Sequence, residues 1–234
     1  MSLKAILFDF NGVIINDEPI HQELINEILI QENLRPDELE YQQLCLGRSD
    51  RACLSDILSN RSRLVKENYL DRLIQSKTQA YRQRLQQLET LPIYPDIEDL
   101  MAKIQMQGLA IAVVTGALKQ EVELVLDRAV LRQYVNVIVA GDETQASKPQ
   151  PDGYLLAVER LNRQNTTLKL QPSDCLAIED TPAGIQAAKN ARIQVVGVAN
   201  TYPLHLLQRK ADWVVDYLNE LDLDRVKQIF AQAA

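Results

Sequence analysis

Asp9 follows a short apolar run, Leu3 to Phe8, and a tight Asn11-Gly12 turn comes next. A carboxylate at the end of a buried strand, followed by a glycine turn, suits a nucleophile. Far along the chain, Ala177-Ile178-Glu179-Asp180-Thr181 repeats the arrangement, an apolar strand ending in two carboxylates. Two such strand ends side by side would hold a divalent cation between Asp9 and Asp180. Mg²⁺ suits so sparse a set, because it takes few carboxylates and keeps several waters. A carboxylate nucleophile beside a hard cation points to metal-assisted phosphoryl transfer through an aspartyl intermediate. Position 11 breaks the pattern: that chemistry wants a second carboxylate there, and the residue is Asn.

Each residue has an ordinary alternative. Asp9 could be a strand-end turn cap, and Asp180 with Thr181 could serve only to start the helix at Pro182. What separates the readings is whether the elements bring these positions together. The strand candidates Leu3–Phe8, Ala110–Thr115, Val135–Ala140, Cys175–Glu179, Gln194–Ala199 and Trp213–Val215 are short and mostly apolar. Such runs suit parallel strands buried on both faces. Helical periodicity fills the gaps, over Asp96–Gln107, Lys119–Arg128, Asp152–Asn162, Pro182–Asn190 and Asp222–Gln232. The alternation predicts an α/β fold, a doubly wound, mostly parallel, Rossmann-like sheet.

From about Asp17 to Leu91 the rhythm changes to consecutive helices: Pro19–Glu32, Pro36–Cys45, Asp50–Leu58 and Ser62 to about Leu88. Two domains are therefore expected, a core of residues 1–16 and 92–234 and an inserted α-helical cap domain of residues 17–91. An insertion after the first strand sits over the carboxyl ends of the sheet, where it would shield the site from water and select substrates.

The 234 residues carry a formal net charge of −7, which argues against a general binder of nucleic acid or of anionic membranes. No apolar stretch approaches a membrane span. Cys45, Cys53 and Cys175 are scattered, without a CxxC, and read as buried thiols of a reducing compartment. With no evident secretory leader, a cytoplasmic protein is expected, as a monomer or small homo-oligomer.

Four segments in order resemble the motifs of the haloacid dehalogenase superfamily. They are Asp9-Phe10-Asn11-Gly12-Val13, Val113-Val114-Thr115-Gly116, Ser147-Lys148-Pro149 and Ile178-Glu179-Asp180-Thr181-Pro182. The helical insertion resembles the cap of its β-phosphoglucomutase and phosphoglycolate phosphatase branch. The resemblance implies a phosphatase-type hydrolase of a small phosphorylated metabolite. Asp9 would be nucleophile and metal ligand, with Mg²⁺ also held by Asp180, by the Asn11 backbone carbonyl and by Glu179, directly or through water. Lys148 would neutralise the phosphoryl oxygens and keep Asp9 ionised, and Thr115 with the Gly116 amide would donate hydrogen bonds to the same group. The loop Leu46-Gly47-Arg48-Ser49-Asp50-Arg51 resembles the family's specificity loop, so Arg48 or Arg51 would grip a distal anion. Lys119 and His21 are further candidates facing the substrate.

In active phosphatases of this superfamily the residue two after the nucleophile is an Asp that moves protons. Asn11 has no proton to give, and losing such catalysis costs on the order of 10²–10⁴-fold in rate. Asp17 stands where Ser or Thr is usual, so Asp17, Glu18 and His21 are candidate substitutes. The expected function is an impaired or specialised phosphatase; the alternative is a non-catalytic metabolite-binding or regulatory protein. A mutase would need the missing acid twice. A phosphonatase would need a cap lysine, and Lys66 and Lys77 lie on what reads as a polar helix face.

Overall fold

The computed structural model describes residues 2–232. Six strands form one sheet: β1 (Ala5–Phe8), β2 (Ala110–Val114), β3 (Val137–Val139), β4 (Cys175–Glu179), β5 (Gln194–Val198) and β6 (Trp213–Val215). Their order is β3-β2-β1-β4-β5-β6 and every pairing is parallel. β1 therefore lies in the middle, with the chain wound away from it on both sides, and the carboxyl ends of β1, β2 and β4 open on one edge. Most strand residues are fully buried, which is why the strands read as continuous apolar runs.

Strand period sorts these residues into two cores. Ile6, Phe8, Ile111, Val113 and Ile178 face α5 (Ile97–Met106), α6 (Lys119–Arg128) and α10 (Leu223–Gln232). Ala5, Leu7, Ala112, Val114 and Ala177 face α7 (Asp152–Gln164) and α8 (Pro182–Asn190). Small residues dominate the second set and let those helices approach closely. Thr181 caps α8, its side chain accepting from the Gly184 amide, with Pro182 at the first turn as the sequence implied. A short helix, α9 (Leu204–Leu207), and several 3₁₀ turns lay outside the periodicity argument.

Between β1 and α5 the chain is helical: α1 (Glu18–Gln31), α2 (Glu38–Leu44), α3 (Asp50–Asn60) and α4 (Glu67–Gln87). Ile25, Ile28, Leu29, Leu54, Ile57, Leu70 and Ile74 form a separate apolar cluster among them. Leu24, Tyr81 and Leu85 pack instead with the sheet core, so α1 and α4 reach both clusters. The last helix starts at Glu67 rather than Ser62. Ser62 has φ +56, and its amide closes a turn on Ser59 at the end of α3. Among the described residues no helix is long and apolar enough to cross a membrane.

The reading of all three cysteines as thiols is corrected. Cys45 and Cys53 form a disulfide, and Cys175 is free and buried. Cys45 follows α2 directly and Cys53 sits in the first turns of α3, so folding the helix pair brings together positions that a spacing of eight does not advertise.

Candidate active site

Sheet register explains why the two acidic strand ends meet. Phe8 of β1 pairs with Ile178 of β4, so the next residues, Asp9 and Glu179, stand side by side. The Asp9 amide donates to the Ile178 carbonyl at 2.9 Å, and the Phe10 amide donates to Asp9 Oδ1 at 2.7 Å. Gly12 then turns the chain with φ +77, and a Cβ there would lie 1.8 Å from Asp180 Oδ2, so only glycine lets the turn pass the carboxylate.

Lys148, from the loop before α7, reaches between the two strands. Its Nζ lies 2.8 Å from Asp9 Oδ1 and 2.7 Å from Glu179 Oε1, and all three side chains are buried. Burial alone would lower the lysine pKa; the charges of Asp9 and Glu179 more than offset it and hold the ammonium protonated. Burial, then the charge of Asp9, pushes the Glu179 carboxyl up to about 8 against the pull of Lys148 and Tyr154. Asp180 is pushed well up by the same burial and by its carboxylate neighbours.

Asp9, Glu179 and Asp180 can each present one oxygen within 4.8 Å of the others. Glu179 Oε2 and Asp180 Oδ1 are buried without a hydrogen-bond partner. The other oxygens are used: Tyr154 donates to Glu179 Oε1 and Thr201 to Asp180 Oδ2. Crowded carboxylates with orphaned oxygens are a donor set that a hard divalent cation fits.

Thr115, one residue past β2, donates to Asn11 Oδ1 at 3.3 Å, and its Oγ1 accepts from the Ala117 amide at 3.0 Å. Asn11 turns its amide toward the helices, donating to both oxygens of Asp17 at 3.0 Å. Asp17 also accepts from Tyr81 and stands 3.3 Å from His21 Nε2. Lys77 Nζ donates to His21 Nδ1 at 2.5 Å and to Asp50 at 2.7 Å. Burial and the Lys77 charge pull the His21 imidazole down, but the charge and hydrogen bond of Asp17 outweigh them and leave it raised above the usual histidine range. A continuous polar chain, buried at Asp17, His21 and Lys77, thus runs from Asn11 to Asp50.

Lys77 requires a correction. It is only 1 % exposed and points inward, not across a polar face. Its neighbours in α4 are polar, and the partners that bury it come from elsewhere in the chain. Its three protons face His21 and Asp50, and it does not line the cavity described next.

A cavity between the sheet edge and the helices is lined by Asp9, Asn11, Gly116 and Asp180 from below and by Glu18, His21, Tyr41, Arg48 and Asp50 from above. Beside it, the Ser49 amide donates to Ser147 Oγ at 2.8 Å. Gly47, at φ +73, lies against Thr181 so closely that a Cβ would come 2.3 Å from its hydroxyl oxygen. Arg48 lines the cavity, with its guanidinium bonded to Asp56 at 2.7 Å and to the Leu44 carbonyl at 2.9 Å. Two other candidates lie elsewhere. Arg51 pairs with Glu67 and Asp71 and is half exposed. Lys119 stands 3.7 Å from Glu143 and is also half exposed. Both sit at helix starts whose cations turn to nearby acids, which their spacing does not reveal. Tyr41, Tyr81, Tyr154 and Thr201 were missed, since a lone hydroxyl has no signature until the fold aims it at a carboxylate.

A family model described as haloacid dehalogenase-like hydrolase matches residues 6–198. The chain is 26% identical over 224 residues to Protein CbbY of Rhodobacter capsulatus, covering 94% of this chain and 95% of that one. It is 30% identical over 195 residues to fructose-1-phosphate phosphatase YqaB of Escherichia coli, covering 83% and 95%. A crystal structure of β-phosphoglucomutase from Clostridium difficile superposes with a TM-score of 0.85 at 23% identity, over 99% of this chain and 98% of that one. The chain belongs to the haloacid dehalogenase-like hydrolase family and stands among its phosphoric monoester hydrolases.

Proposed function

We propose that this protein hydrolyses the phosphate ester of a small, sugar-like metabolite through a phosphoryl group carried on Asp9. The observation that carries the reading is Lys148 bridging Glu179 and Asp9, the latter lining the cavity. A lysine fixed there stands beside the Asp9 nucleophile and would offset charge on the transferring phosphoryl oxygens. Thr115 and the Gly116 amide stand beside it as donors for those oxygens. Asp9, Asp180, Glu179 and the Asn11 backbone carbonyl would hold Mg²⁺, which when bound offsets phosphate charge and orients the ester. The cavity's upper wall, Glu18, His21, Tyr41, Arg48 and Asp50, is rich in groups that hydrogen-bond sugar hydroxyls. Relatives named as phosphatases of fructose 1-phosphate and of phosphorylated carbohydrates support that class.

Proton transfer is where this chain departs from the pattern. Asn11 has no acidic proton, and its amide is committed to Asp17. Asp17 is fully buried and does not line the cavity, whereas Glu18 and His21 do. Burial raises the Glu18 carboxyl, and Tyr41 donates to it. Glu18 is thus the side chain best placed to replace the missing acid, with His21 lining the cavity beside it but engaged by Asp17 and Lys77, and esters with good leaving groups need such help least. The same commitment of Asn11 favours a second reading, a protein that binds a phosphorylated metabolite without turning it over. Incubation with acetyl phosphate and Mg²⁺, acid quench and mass spectrometry separates the two. A phosphoryl adduct on Asp9 supports phosphotransfer; ligand binding without an adduct supports the binding role.

A further inference from the structure

The disulfide has no part in the chemistry above, yet both of its cysteines line the cavity that holds Asp9 and Asp180. It closes a ring around residues 46–52, and that ring is one of the segments through which the helices touch the sheet edge. Within it, Gly47 packs on Thr181, Ser49 bonds Ser147, Asp50 bonds Lys77, and the Arg48 and Ser49 backbone lies against Gly116. A Cβ at Gly116 would meet the Arg48 and Ser49 backbone at 2.8 Å, so the ring abuts the amide proposed to bind the phosphoryl group. Cys45 is 7% exposed and Cys53 2%, so Cys45 is the more open to attack, from the cavity side. Cys175 is apart from both, fully buried in the sheet core, and remains a thiol.

We propose that Cys45 and Cys53 are a reversible thiol–disulfide switch that sets the order of the phosphate-binding wall, a regulation that rests on the phosphatase reading of this site. Oxidised, the bridge holds residues 46–52 against Gly116 and Thr181. Reduced, the end of α2 is released from α3 and the ring loses that constraint. The co-reactant is a dithiol. Its thiolate attacks the Cys45 sulfur, Cys53 leaves as a thiolate and takes a proton, and the second thiol of the reductant resolves the mixed disulfide. The chain then holds two thiols and the reductant one disulfide, with two electrons transferred; the reverse exchange restores the bridge.

The test uses the full chain equilibrated in buffers of reduced and oxidised dithiothreitol, denatured with an alkylating agent and weighed. The expected result is one alkylated cysteine on the oxidised side and three on the reduced side, in a single two-electron transition. Amides of residues 46–52 exchange about tenfold faster once reduced, with β1 and β4 unchanged. Binding of inorganic phosphate in Mg²⁺ weakens several-fold on reduction. Cys53→Ser shows the reduced behaviour in every buffer, and Cys175→Ser keeps the response. Three alkylated cysteines in oxidising buffer, equal exchange in both states, or equal phosphate affinity in both states overturns the switch. Absence of phosphate binding in either state overturns the phosphatase reading instead, and the mass and exchange data then decide the switch alone.

Discussion

Replacing Lys148 with Met asks whether the lysine is what lets three carboxylates share one buried site. The substitution keeps most of the volume and deletes the ammonium 2.8 Å from Asp9 and 2.7 Å from Glu179. Removing one partner of a buried pair leaves an uncompensated charge and costs about 3–5 kcal/mol. The loss depends on pH. Glu179, held at about 8 in the fold, titrates near 4.5 when unfolded, so the metal-free folded state binds more protons between those values. Stability of the metal-free protein therefore falls as pH rises from about 5 to 8. At pH 6 a protonated Glu179 already relieves part of the repulsion, so the variant's deficit is smallest there and grows toward pH 8. For a chain of this size each kcal/mol moves Tm by about 2–4 °C, which gives a drop of about 6–20 °C at pH 8. Saturating Mg²⁺ should return about 3 kcal/mol at a hundred times its Kd and flatten the pH slope. The assay is thermal and urea unfolding of both proteins at pH 6 and 8, in EDTA and in Mg²⁺. A Tm loss under about 2 °C that ignores pH and metal would refute the reasoning.

Three further predictions follow from the same geometry. Asn11→Asp alone sets a carboxylate 3.0 Å from those of Asp17, so it should destabilise the protein and recover little turnover, whereas Asn11→Asp with Asp17→Thr should raise kcat by about 10²-fold or more; equal rates for single and double variants would sink this coupling. Gly47→Ala puts a Cβ 2.3 Å from the Thr181 hydroxyl at a φ of +73, so it should cost on the order of 1 kcal/mol and raise KM more than it lowers kcat, as steady-state kinetics would read. Burial pushes the Cys175 thiol up to about 12, so with the bridge oxidised native protein should resist iodoacetamide at pH 8 until denatured; fast labelling there would contradict its placement.

The sheet was legible because parallel strands buried on both faces leave unbroken apolar runs. β4 and β6 have the bounds the sequence suggested, and α6 and α8 do too. That Asp9, Asp180, Glu179 and Lys148 would converge was legible because each stands at or just past a strand end or in a short loop leading to a helix. What stayed hidden depends on packing between distant segments. Lys77 looked solvated from its helical neighbours, and His21, Asp50 and Tyr81 decide otherwise. Arg51 stood in a loop that resembles the family's specificity loop and Lys119 at a helix start, and nearby acids claim both. The disulfide depends on two helices folding back on each other. The role of Asn11 was legible only as a departure; the paired exchange with Asp17 emerges from the contact between them.

The central claim is that Asp9 carries the phosphoryl group. Its most direct test is the Mg²⁺-dependent release of phosphate from p-nitrophenyl phosphate by this chain beside Asp9→Asn, with both confirmed folded. The account predicts measurable turnover that EDTA removes and that Asp9→Asn abolishes. Turnover that survives in Asp9→Asn would contradict it and place the chemistry on another group.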